Sequence, residues 1–68
     1  MINVYVANTL RACFALDDDA VEALTEIVLD MADEDGMTPA AWLGDRGNFT
    51  TVREIADDKV ESGNWLTH

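Results

Sequence analysis

The side chains in this sequence that are best suited to bind or react are carboxylates, which recur at helical spacing. In the stretch DDDAVEALTEIVLDMADEDG, residues 17–36, nine of the twenty positions are acidic and none is lysine or arginine. Intervals of three and four residues would place five of these acids on one face of a helix, opposite its apolar side: Asp19, Glu22, Glu26, Asp30 and Asp33. A second acidic row recurs nearer the C-terminus: Glu54, Asp57, Asp58 and Glu61.

Such rows are unfavourable for the helices that carry them. Like charges three or four residues apart destabilise a helix by about 0.2–0.5 kcal/mol per pair, so the four steps of the first row cost about 1–2 kcal/mol in low salt. A core of this size rarely contributes more than about 3–5 kcal/mol. The helix dipole offsets the charge of residues 17–19 but not that of Glu34 and Asp35. The arrangement therefore predicts a role other than stability.

The spacing of the first row is comparable to that of phosphates in nucleic acid. Residues 19–33 would cover about 21 Å of helix, roughly one charge per 5 Å, and two rows side by side would approach one charge per ~2.5 Å. Duplex DNA carries one charge per ~1.7 Å of axis, or ~3.4 Å for each strand. We therefore expect the nine carboxylates of the two rows to bind a basic protein surface that normally holds the DNA backbone.

The sequence offers little for catalysis or for a cofactor. The one histidine, His68, is the last residue, and no serine, threonine or cysteine has a visible base partner. A calcium loop over residues 31–42 would begin with Met31 and would place Trp42 where a bidentate glutamate is required. We expect no enzymatic activity, no metal and no cofactor. Direct nucleic-acid binding is not expected either, because the sequence lacks a basic patch.

Composition indicates one folded, strongly acidic domain over residues 1–68. The net charge is −10, yet 49% of the residues are hydrophobic, which is too many for a disordered acidic tail. The lone Cys13 excludes an internal disulfide and is expected to be buried. No apolar run approaches the ~20 residues that cross a bilayer, and no signal peptide is evident. We expect a soluble, cytoplasmic monomer rather than a dimer.

The fold predicted from these patterns is α+β, with an N-terminal strand or hairpin packed against about three helices. Ile2, Val4 and Val6 alternate with polar or amphipathic residues, the period of a half-buried strand. Residues 9–16 can continue the pattern as a second strand after a turn near residues 7–8, although the turn chemistry there is weak. A short helix beginning at Thr9 is the alternative.

The three predicted helices follow from caps and apolar periodicity. Asp19 and Glu22 form a variant of the capping box that opens the first helix, and Gly36 lies just past its end. In the second, short helix, Thr38 is the N-cap, Pro39 takes the first position and Gly44 ends it. We expect this helix to carry two residues inward: Trp42 and Leu43.

The third predicted helix begins at Thr51, which forms a capping box with Glu54, and ends before Gly63. Residues 44–48, GDRGN, are predicted to form a turn that precedes it. In the remaining tail, Trp65 and Leu66 are expected to pack on the core.

Small size, acidity and two acidic helical rows together resemble the small phage-encoded anti-CRISPR proteins that act on type I surveillance complexes, and DNA-mimic proteins generally. The resemblance is one of profile over the whole chain, without a diagnostic motif. It implies an inhibitor of a type I system, with type I-C the preferred candidate. Such an inhibitor would bind a lysine- and arginine-rich DNA channel, exclude target DNA and act in the cytoplasm of the host cell.

Two alternative functions remain open at the level of sequence. A halophile-adapted domain would be acidic for solubility, although residues 1–16 carry no acid. A protein-interaction module, such as an antitoxin or a phage accessory protein, would use an apolar patch, and its binding would survive high salt.

Overall fold

The computed structural model describes residues 3–62, and within that range the chain forms four α-helices and no strand. The helices are α1 (Val4–Cys13), α2 (Asp18–Glu34), α3 (Pro39–Leu43) and α4 (Arg46–Ser62). The predicted α+β class, with its N-terminal strand or hairpin, is therefore wrong. The predictions for five residues lie outside the described range: Ile2, Gly63, Trp65, Leu66 and His68.

Helix α1 occupies the segment predicted to be a strand or hairpin. Asn3 caps it, because its side-chain oxygen accepts a hydrogen bond of 3.0 Å from the backbone N–H of Val6. Val6, Ala7 and Leu10 are buried on one side, a helical spacing, whereas Val4 is 66% exposed. The β-branched residues at positions 4 and 6 have modest helix propensity, but burial of one helical face overrides it.

The prediction that the single thiol, Cys13, is buried is also wrong. Cys13 is the last residue of α1 and is exposed. Its neighbours Leu10 and Phe14 face the core, fully and partly buried respectively. On the helix, Cys13 lies about 60° from Leu10 and about 100° from Phe14, which places it at the edge of the face that meets the core.

Helix α2 begins two residues earlier than predicted. Asp17, not Asp19, is the N-cap, and its carboxylate accepts a 2.8 Å hydrogen bond from the N–H of Ala20. The predicted end is confirmed, since Gly36 adopts a φ of 68° just after the helix. There the N–H of Met37 bonds to the carbonyl of Ala32 at 2.9 Å, which closes a Schellman motif.

Helix α3 matches the prediction. The Thr38 hydroxyl accepts a 3.3 Å hydrogen bond from the N–H of Ala41, Pro39 stands in the first turn and Gly44 is the C-cap. Trp42 and Leu43 are buried, as expected.

Helix α4 begins at Arg46, so the predicted turn at residues 44–48 and the predicted cap at Thr51 are wrong. The carboxylate of Asp45 accepts a 3.1 Å hydrogen bond from the N–H of Asn48, in the manner of an N-cap. The Thr51 hydroxyl instead donates to the carbonyl of Gly47 at 3.1 Å, inside the helix. Residues 45–48 of the GDRGN stretch are thus the cap and first turn of α4, and Gly44 is the C-cap of α3.

The four helices enclose one apolar core. Its fully buried side chains come from α1, α2 and α4, and α3 adds Trp42. The one buried polar side chain in the described range, Thr25, donates its hydroxyl to the carbonyl of Val21 at 2.7 Å. Every buried polar side-chain atom in residues 3–62 therefore has a hydrogen-bond partner.

Candidate partner-binding surface

The acidic row of α2 lies on the exposed side of the helix. All five predicted carboxylates are exposed, and at 100° per residue they fall within about 80° of arc. The opposite face of α2 is buried, through Ala20, Leu24 and Val28 among others. The packing of α2 against α1, α3 and α4 holds this row in a fixed orientation.

The row on α4 has the same relation to the core. Its four carboxylates, Glu54, Asp57, Asp58 and Glu61, are exposed, whereas Val52 and Ala56 are buried. Each row therefore faces away from the core that α2 and α4 share. Along α2 alone, the row has about one charge per 5 Å.

Among the described residues, none of the nine carboxylates makes a hydrogen bond or an ion pair with another described side chain or backbone group. The ion pair found within residues 3–62 joins Arg11 to Asp18 at 3.2 Å, and Asp18 belongs to neither row. The two rows are therefore free to accept hydrogen bonds from a partner.

Four other carboxylates have local structural roles, which separates them from the rows. Asp17 and Asp45 cap helices, and Asp18 pairs with Arg11. Asp35 accepts a 2.7 Å hydrogen bond from the indole N–H of Trp42. Sequence reasoning missed the role of Asp35, because the two residues are seven apart and only the turn at Gly36 brings them together.

The described acidic residues do not assemble a metal site. Within residues 3–62, no group of three or more His, Cys, Asp and Glu side chains is placed to hold a metal ion. The carboxylates of the two rows are instead spread along α2 and α4.

Comparison of the chain with known protein families, curated proteins and solved structures finds no match. None of the helices in the described range combines the length and apolarity needed to cross a bilayer. The functional inference therefore depends on the surface itself.

Proposed function

We propose that the protein is a DNA-mimic inhibitor, which binds the basic DNA-binding channel of a bacterial defence complex and blocks target DNA. The complex proposed is a type I CRISPR surveillance complex, type I-C in particular, and the site of action is the host cytoplasm. The observation that carries this proposal is the row of five exposed carboxylates on one face of α2, none of which is paired with another residue in the range 3–62.

The mechanism is electrostatic competition. Lysine and arginine side chains that line a DNA channel are spaced for phosphates, and the α2 row presents carboxylates within a factor of two of the ~3.4 Å strand spacing. The packed side of α2 fixes the backbone of the row, so the conformational entropy lost when the charges engage is that of the side chains alone. The net charge of −10 also accelerates encounter with a basic surface.

The row on α4 acts as a second contact in this proposal. Because it lies on a different helix, it engages a different wall of a channel or a neighbouring subunit. Losing individual carboxylates should weaken binding in steps of about 1 kcal/mol, with strong salt dependence.

The test is a competition gel shift with purified type I surveillance complex, labelled target duplex and increasing amounts of this protein. Displacement of the duplex, with potency that falls as salt rises, supports the proposal. Undisturbed DNA binding at low salt, with the protein in large excess, contradicts it for that complex.

A further inference from the structure

A groove separates α1 from α4 on the surface of the protein. Of the six pairs of helices, α1 and α4 pack against each other least. Two cavities of about 420 and 570 Å³ lie between them and adjoin at Arg53, which lines both. Each volume is in the range of about 300–1,000 Å³ that is typical of ligand pockets.

The groove has an apolar, aromatic floor. The rings of Phe14 and Phe49 stack there, with centroids 5.6 Å apart and an interplanar angle of 22°. Tyr5 on one side and Val60 on the other are 59% and 54% exposed. Large apolar side chains that open to solvent at both ends of one groove are typical of an interaction surface.

Charge is divided between the two ends of the groove. Arg46 and Arg53 line the end nearer the start of α4, where the lining within residues 3–62 has no carboxylate, and the Arg53 guanidinium lies 5.7 Å from the centroid of Phe49. Asp57 and Glu61 line the other end, and Arg53 reaches that end too because it lies where the two cavities adjoin. Along the groove the charge therefore runs from Arg46, through Arg53 near the middle, to Asp57 and Glu61.

This distribution partly opposes the dipole of α4. A helix is stabilised by acids in its first turn and bases in its last. Asp45, which caps α4, and Lys59 in the last turn follow this rule, but Arg46 in the first turn and the three acids of the last turns do not. Complementary charges on a bound partner would offset the unfavourable part of this order.

We propose that the groove binds an amphipathic helix of a partner protein. From Arg46 to Val60 the α4 wall extends about 21 Å, the length of a helix of about 14 residues. Its apolar stripe would lie on the Phe14–Phe49 floor. Its acidic end would face Arg46 and Arg53, and its basic end would face Asp57 and Glu61.

Charge complementarity selects this occupant over others. A second copy of the chain would also carry a charge of −10 and would be repelled. A small anion would engage the arginine end alone and leave the acidic end without a partner. The groove does not include the α2 row, so it can bind a helix whether or not α2 binds a DNA channel, but it shares Asp57 and Glu61 with the α4 row, and a helix in the groove would compete with that second contact.

Cys13 lines the acidic half of the groove and is the only cysteine, which makes it a reporter of occupancy. The probe is a synthetic amphipathic peptide of about 16 residues, with leucines at helical spacing, glutamates in one half and lysines in the other. The control peptide has the same composition and leucine positions, but its charges alternate along its length. We expect the first peptide to slow alkylation of Cys13 by iodoacetamide severalfold, and the control to have little effect.

A matched pair of variants locates the binding. Val60→Ser, in the groove, should weaken binding of the first peptide by about fivefold to tenfold. Val4→Ser changes a valine that is 66% exposed and does not line the groove, and it should leave affinity unchanged. Equal protection by both peptides, or no protection by either, overturns the proposal. Slow alkylation of Cys13 in the free protein would also overturn it, because the groove would then be covered by the protein's own chain.

Discussion

The indole N–H of Trp42 donates a 2.7 Å hydrogen bond to Oδ2 of Asp35, and this bond ties α3 to the C-terminal end of α2. Trp42 is 2% exposed, so its N–H has little access to water if the carboxylate is removed. Asp35 thus stabilises the fold although it stands at the unfavourable end of the α2 dipole.

Replacing Asp35 tests this relationship. Asp35→Ala should lower the free energy of unfolding by about 1–2 kcal/mol, because a largely buried donor loses its charged acceptor. Urea denaturation measures the change. Glu34→Ala removes an adjacent exposed carboxylate that has no partner in the described range, and it should have a smaller effect. Equal losses in the two variants would show that the bond contributes nothing specific.

Neutralising the α2 row should stabilise the protein while it weakens binding. Glu26 has like-charged neighbours four residues away on both sides, Glu22 and Asp30. Glu26→Gln should therefore raise the free energy of unfolding by about 0.4–1 kcal/mol in low salt, and less in high salt. Thermal melts at two salt concentrations measure this. If the variant is less stable than the natural protein in low salt, the row is not under repulsive strain.

The turn after α2 depends on a glycine. Gly36 has a φ of 68°, a conformation that costs a residue with a Cβ atom about 1–2 kcal/mol. Gly36→Ala should destabilise the protein by that amount, and Gly36→Asn by less, because asparagine tolerates this region. Chemical denaturation of the two variants would rank them. If the Gly36→Asn variant is no more stable than the Gly36→Ala variant, this explanation is contradicted.

Because α1 is a helix, lysine substitutions at two of its alanines should have different effects on stability. Ala7 is 5% exposed and Ala12 is exposed, so Ala7→Lys should destabilise the protein severely, and Ala12→Lys should change stability by within about 0.5 kcal/mol. The hairpin predicted from the sequence places position 12 on the same face as Leu10 and Phe14. A severe effect at Ala12 would therefore favour the strand.

Whether the protein folds in low salt distinguishes two explanations of its acidity, namely partner binding and adaptation to high salt. In the described core every buried polar side-chain atom has a hydrogen-bond partner, and the core includes the buried Trp42. We therefore expect a cooperative thermal transition without added salt. A halophile-adapted domain would be unfolded under those conditions. Circular dichroism in dilute buffer, followed by salt titration, measures which behaviour occurs.

Features controlled by neighbouring residues could be predicted from the sequence. Thr38, Pro39 and Gly44 bound α3, and Gly36 follows α2, because caps and left-handed turns depend on local backbone chemistry. The exposure of both acidic rows was also predictable, since helical spacing alone separates them from the apolar residues.

Features that depend on packing could not be predicted in the same way. The alternation at Ile2, Val4 and Val6 fits a strand, and only burial of Val6 and Leu10 against the other helices decides for α1. Pairing of Asp35 with Trp42 requires the geometry of the turn between α2 and α3. The α1–α4 groove requires the relative placement of two helices distant in sequence.

The central claim is that the α2 row excludes DNA from a basic channel, and charge reversal in a DNA-competition gel shift tests it most directly. Purified type I surveillance complex and labelled duplex would be challenged with the natural protein, with a Glu26→Lys, Asp30→Lys double variant, and with a control of equal net charge that carries Glu34→Lys, Asn8→Lys and Ala12→Lys, three exposed positions outside both rows. We predict that the double variant loses displacement while the control retains most of it. Full displacement by the double variant, or an equal loss in both, would contradict the assignment of the α2 row as the DNA-mimicking surface.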